Sequence, residues 1–109
     1  NPTFTGVVNM KNVVFGVKHY TGAGAHMLAA DGMFNNTVTH TSEASVYLPI
    51  SPPEGSEYRV INYGTGGVRI YAQAPNHLDT IGVGANTLLN NYLDKISFVY
   101  INNVWNIMI

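Results

Sequence analysis

Residues 58–73 read YRVINYGTGGVRIYAQ and contain two runs of alternating side chains separated by four residues, Gly64 to Gly67. In the first run, residues 59, 61 and 63 fall on the opposite face from residues 58, 60 and 62. The second run, from Val68 to Gln73, alternates in the same way. Because glycine permits the backbone angles of a tight turn, this pattern predicts a β-hairpin.

Alternation of the same kind extends to both sides of this stretch. It covers residues 12–20, 45–50, 95–101 and 104–109. Asn102 and Asn103 separate the last two runs and favour a two-residue hairpin turn, since asparagine tolerates the left-handed region. The sequence therefore predicts an all-β fold, a small antiparallel β-sandwich or barrel-like domain of short strands and hairpins.

The segment before residue 45 has a different character. Ala25 to Asp31, followed by Gly32, is the one candidate helix, and it is under two turns long. The composition shifts near Thr41, from a stretch rich in Gly, Ala and Asn to one with a regular strand and turn rhythm. We therefore expect an N-terminal segment, residues 1–44, and a C-terminal β module, residues 45–109.

Length and charge exclude several classes of protein. The chain has 109 residues, of which 10% are charged, and its net charge is −1. Only five residues are basic, which argues against nucleic acid as a partner, because phosphate contacts need clustered Lys and Arg. No apolar run reaches the roughly 18 residues that cross a bilayer, so membrane insertion is not expected. The start at Asn1 and the apolar end predict a C-terminal fragment of a longer chain.

The sequence carries no recognisable catalytic or metal-binding pattern. Cysteine is absent, and the four histidines (residues 19, 26, 40 and 77) lack metal-ligand spacing. Each Gly-x-Gly pair lacks the further glycine of a dinucleotide-binding loop, so these pairs predict turns. Asp79 and Glu57 are the candidates for a glycan hydrolase, but nothing brings two carboxylates together. We expect no enzyme activity, no metal and no cofactor in this chain.

The last strand is apolar on both faces, which favours a second covering layer. Trp105, Ile107 and Ile109 face one way, opposite Val104 and Met108. A terminal strand in so short a chain would seldom be covered twice by its own residues. We therefore expect Trp105, Ile107 and Ile109 to form contacts between chains.

An ordered series of short motifs runs from Val46 to the end. It comprises Val46-Tyr47-Leu48-Pro49, Pro53-Glu54-Gly55, Tyr58 to Gly64, Val68-Arg69-Ile70, Asp79-Thr80-Ile81-Gly82, Leu88-Leu89, Ile96 to Tyr100 and Asn103-Val104-Trp105. This order resembles the small β modules near the C-termini of bacteriophage tail fibres and tailspikes, over about residues 46–106.

The resemblance implies a homotrimeric distal domain of the virion tail that clamps three chains together and contacts bacterial surface polysaccharide. Such modules often follow a β-helical body that carries a depolymerase, so catalysis would lie upstream of Asn1. Residues 1–44 would then be the end of that stem. The alternative is a carbohydrate-binding module attached to a secreted glycosidase, which the oligomeric state would distinguish.

Saccharide recognition combines aromatic rings with planar polar side chains, and the chain has seven Tyr and 13 Asn residues. The strand from Val68 is expected near a solvent-facing edge because of the predicted hairpin. Arg69 and Tyr71 on that strand, with His77 in the following loop, are therefore the candidate ligand-binding residues.

Overall fold

The computed structural model describes residues 16–73, 76–78 and 86–108. These residues form ten β-strands: β1 (Val17–Thr21), β2 (Gly24–Met27), β3 (Asn35–Thr39), β4 (Ala44–Tyr47), β5 (Glu57–Asn62), β6 (Val68–Tyr71), β7 (His77–Leu78), β8 (Asn86–Leu89), β9 (Lys95–Ile101) and β10 (Val104–Met108). Within the described ranges there is no helix, which confirms the all-β class.

The first six strands form three successive coils of the chain. Each coil contributes its first strand to a six-stranded sheet, in the order β1-β3-β5-β9-β10-β7, and its second strand to a four-stranded sheet, β2-β4-β6-β8. Successive coils stack in parallel, so that β1, β3 and β5 are neighbours, as are β2, β4 and β6. This is the stacking of a short parallel β-solenoid.

Antiparallel strands follow the third coil on both sheets. β8 pairs with β6, and β9 pairs with β5 and β10. The expectation of purely antiparallel sheets is therefore wrong. Alternation has the same period in parallel and antiparallel strands, so the sequence pattern did not distinguish them.

One apolar core lies between the two sheets. It combines inward side chains of the six-stranded sheet, such as Val38, Val60 and Phe98, with Val46 and Ile70 of the four-stranded sheet. All five are fully buried. Their positions match the alternation in the sequence, because every second residue of a strand points to the same face.

Trp105, on β10, belongs to this core and is 0% exposed. Its ring centroid is 5.1 Å from that of Tyr100, 5.6 Å from that of Tyr58 and 6.5 Å from that of Phe98. The indole Nε1 donates a hydrogen bond to the carbonyl oxygen of Pro49 at 3.3 Å. A single chain therefore already buries this side chain completely.

The predicted hairpin over residues 58–73 is wrong. β5 and β6 belong to different sheets, and the glycine-rich segment between them is a corner. This corner stacks on that of the preceding coil, since the Thr65 amide donates to the carbonyl oxygen of His40 at 3.0 Å. A Cβ on Gly64 would overlap the His40 backbone, so the close approach of the two coils requires glycine here.

Asn62 holds this corner together from inside the protein, where it is fully buried. Its Nδ2 donates to the carbonyl oxygens of Gly66 at 2.8 Å and Leu89 at 3.2 Å. Its Oδ1 accepts the Gly64 amide at 2.8 Å. The side chain thus joins the corner to β8 and bonds three backbone groups, two of them in buried contacts.

The C-terminal hairpin is confirmed. β9 and β10 are antiparallel, with Ile101 opposite Val104. The two turn residues, Asn102 and Asn103, have φ angles of 53° and 63°. Both angles are left-handed, as a two-residue hairpin turn requires.

The predicted helix over residues 25–31 is wrong, because residues 24–27 pair with β4 as strand β2. Backbone pairing to a neighbouring strand replaces a helix that would be too short to be stable alone.

Both sheets contain strands from either side of Thr41. The division into residues 1–44 and 45–109 stays a prediction.

Candidate functional site

Arg69 and Tyr71 lie side by side on the outer face of the four-stranded sheet. β6 is flanked by β4 and β8 and lies one strand in from the β8 edge of its sheet. The Arg69 Nε is 3.1 Å from Glu43 Oε2 and forms an ion pair with it. Tyr71 stacks on Tyr47 of β4, with ring centroids 4.9 Å apart and an interplanar angle of 12°.

This stack limits what the two tyrosines can offer a saccharide. Each ring turns one face to the other, so only the outward faces and edges of Tyr47 and Tyr71 can contact a ligand. Arg69 is likewise held by Glu43. The arrangement therefore resembles a ladder of side chains that stabilises neighbouring coils.

His77 is not brought to Arg69 and Tyr71. It lies in β7, at the edge of the other sheet, where it pairs with Val104.

Of the residues expected to form contacts between chains, Ile107 packs against the core and Ile109 lies outside the described residues. Their role, and that of Trp105, stays a prediction.

A second surface, on the outer face of the six-stranded sheet, gathers aromatic and cationic side chains. Arg59 of β5 lies opposite Ser97 of β9, and Ile61 lies opposite Lys95. Tyr63 continues the same face just beyond the end of β5. The pairing of β5 with β9 thus brings together residues that are distant in the sequence.

Two exposed tyrosines form one end of this surface. Tyr63 is 40% exposed and Tyr92 is 60% exposed. Their ring centroids are 6.1 Å apart at an interplanar angle of 77°, an edge-to-face contact. Edge-to-face packing leaves much of the ring surface free, and saccharide rings stack on aromatic faces of this kind. We call these two residues the tyrosine pair.

A shallow pocket lies on the same outer face of the sheet as Tyr63. Its volume is about 230 Å³, and it is lined by Arg59, Lys95, Ile96, Ser97 and Met108. The Arg59 guanidinium lies over the Phe34 ring, with its central carbon 5.1 Å from the ring centroid. This contact orients the guanidinium, whose N–H groups can still hydrogen-bond at its edge. We call this the cationic pocket.

Sequence reasoning missed both features, although one signal was visible. The alternation already placed Arg59 and Tyr63 on one face of the strand. Lys95 and Tyr92 could not be assigned to it, because the β5–β9 pairing of Lys95 and the ring contact of Tyr92 with Tyr63 join residues distant in the sequence.

An apolar groove of about 370 Å³ lies beside the first coil, lined by Lys18, Tyr20, Met27, Ala29, Gly32 and Met33. Burial raises the pKa of the Tyr20 phenol. It also raises the pKa of Tyr58, whose hydroxyl donates to the Ala29 carbonyl oxygen at 2.5 Å. Both phenols are therefore neutral at physiological pH, and neither is a candidate base.

Within residues 16–73, 76–78 and 86–108, no three His, Asp or Glu side chains lie close enough to hold a metal ion. The same residues include no helix of the length and apolar character that crosses a bilayer. No protein-family model, curated protein or solved structure matches this chain.

Proposed function

We propose that this chain is the C-terminal trimerisation and host-recognition module of a phage tail fibre or tailspike, and that it binds surface glycan without cleaving it. The observation that carries the proposal is the outer face of the six-stranded sheet, which holds both the tyrosine pair and the cationic pocket. Exposed aromatic rings beside hydrogen-bonding side chains are the chemistry that saccharides require.

The parallel coils also support this proposal. Residues 17–71 contain three stacked coils, and antiparallel strands follow them on both sheets. A module that continues a β-helical stem and then ends it would need this order of strands. In this proposal the two sheets pack as a small β-sandwich around their shared core.

The outer face of the C-terminal hairpin supports association between chains. Ile101 is 43% exposed and lies opposite the half-buried Val104, and Val99 lies on the same face. We call these three residues the hairpin patch. A small apolar patch of this kind suits contact with a second copy better than Trp105, which the chain buries by itself.

We expect a homotrimer in solution, with a mass near three times 11.9 kDa by light scattering. High salt should change this mass little, since so few charged residues can contribute. Ile101→Asp should convert the trimer to monomer, because it places a carboxylate in the hairpin patch. Leu93→Asp is the matched control, since Leu93 is 47% exposed and lies outside the patch.

A monomeric wild-type chain at micromolar concentration would contradict the trimer. If that monomer still bound glycan, the alternative of a carbohydrate-binding module attached to a secreted glycosidase would replace the proposal.

Binding of bacterial surface polysaccharide should depend on the tyrosine pair. A neutral hydrogen bond to a sugar gains only about 0.5–1.5 kcal/mol, so a single site should bind weakly and three sites on a trimer should raise avidity. Replacing Tyr92 by alanine should weaken binding about tenfold on a glycan array. Tyr71→Ala is the control on the other sheet, and it should leave binding nearly unchanged.

If Tyr71→Ala or Arg69→Met abolished binding and Tyr92→Ala did not, the site would be the one expected from the sequence. An array without any bound polysaccharide would leave the chain a trimerisation module alone.

A further inference from the structure

We infer that the cationic pocket binds the carboxylate of an acidic saccharide, an inference that rests on the proposed glycan recognition and names its ligand class. Arg59 and Lys95 both line this pocket, together with the Ser97 hydroxyl. Of the five basic residues in the chain, two therefore meet at one small pocket. A guanidinium and an ammonium beside a hydroxyl are suited to a carboxylate, which accepts hydrogen bonds from all three.

The two cations of this pocket are not engaged in ion pairs within the described residues. In the part of the chain that the structure describes, the one ion pair joins Arg69 to Glu43, on the other sheet. Glu57 shares the outer face with Arg59 but forms no ion pair with it. Asp94 precedes Lys95, and its Oδ2 accepts the Asn91 amide at 2.9 Å. Neither Arg59 nor Lys95 thus forms an ion pair with a carboxylate of the described residues.

The size and position of the pocket fit one charged group of a longer ligand. Its volume of about 230 Å³ is below the roughly 300–1,000 Å³ of pockets that enclose a drug-sized ligand. Tyr63 lies four residues beyond Arg59 in the direction of β5, a distance of about 13 Å. An extended oligosaccharide can therefore stack on the tyrosine pair and place a carboxylate between Arg59 and Lys95.

The test compares acidic bacterial polysaccharides with the same polymers after carboxyl reduction, which converts each uronic acid to a neutral sugar of equal size. The wild-type chain should bind acidic polymers at least tenfold more tightly than their reduced forms, since charged hydrogen bonds are the strong ones. Raising the salt concentration should weaken binding of the acidic forms.

Variants locate the effect in the pocket. Lys95→Met and Arg59→Met should each reduce binding of the acidic polymer about tenfold, and Arg59→Lys should restore part of it. Lys18→Met is the matched control, because it removes the same charge from an exposed lysine on β1. Circular dichroism should show that all four variants keep the wild-type fold.

The possible outcomes separate the inference from the proposed function. Equal binding of acidic and reduced polymers, unaffected by Arg59→Met and Lys95→Met, would overturn the carboxylate pocket and keep the glycan proposal. Equal losses in Lys18→Met and Lys95→Met would show attraction by overall charge and would also overturn the pocket. No binding of any polymer at millimolar saccharide would overturn both.

Discussion

Replacing Trp105 with alanine is expected to lower the free energy of unfolding by about 3–5 kcal/mol. The side chain is fully buried, and three aromatic rings surround it. Alanine would leave a cavity in the core and remove the Nε1 donor to Pro49. Since domains of this size are stable by about 5–15 kcal/mol, the loss would be a large part of the total.

Urea unfolding followed by circular dichroism measures this loss, at a fixed protein concentration because assembly contributes to stability. Trp105→Phe should lower the free energy of unfolding much less than Trp105→Ala does. The ring would keep most of the apolar contact, and the Pro49 carbonyl would still accept Asn76 Nδ2 at 3.2 Å. Tyr92→Ala removes an exposed aromatic side chain and should change stability by about 0.5 kcal/mol or less. Equal midpoints for Trp105→Ala and Tyr92→Ala would contradict the burial described here.

Asn62→Ala is expected to lower the free energy of unfolding by about 2 kcal/mol or more, because it removes three hydrogen bonds to backbone groups, two of them buried and worth roughly 1–3 kcal/mol each. These groups are the carbonyls of Gly66 and Leu89 and the amide of Gly64. Loss of these three hydrogen bonds would loosen the corner between β5 and β6 and its connection to β8. The same urea titration measures the change.

Asn106→Ala is the matched control for this variant. Asn106 Nδ2 also donates two hydrogen bonds, to Val104 at 3.1 Å and Val99 at 3.4 Å, but the side chain is half-buried, so water can replace them. We expect a cost of about 1 kcal/mol or less. If Asn62→Ala were no more destabilising than Asn106→Ala, the corner would not depend on the Asn62 side chain.

The candidate site was only partly predictable. Alternation assigned Arg59 and Tyr63 to one face of the strand, and the structure turns that face outward. The choice of Arg69, Tyr71 and His77 relied on the predicted hairpin, which the structure replaces with a corner. Arg69 and Tyr71 are therefore engaged by Glu43 and Tyr47, and His77 lies in the other sheet.

The sequence by itself determined the all-β class, the positions of most strands and the C-terminal hairpin with its Asn102-Asn103 turn. These features are local, because a period of two and the backbone preferences of the turn residues act over a few positions. Only the tertiary structure decided which strands pair and in which direction. Inward and outward positions are the same for a hairpin and for two stacked coils, so side-chain alternation does not choose between them. That choice depends on long-range contacts: the hydrogen bond from the buried Asn62 amide to the Leu89 carbonyl, and the approach of the Gly64 corner to the His40 backbone.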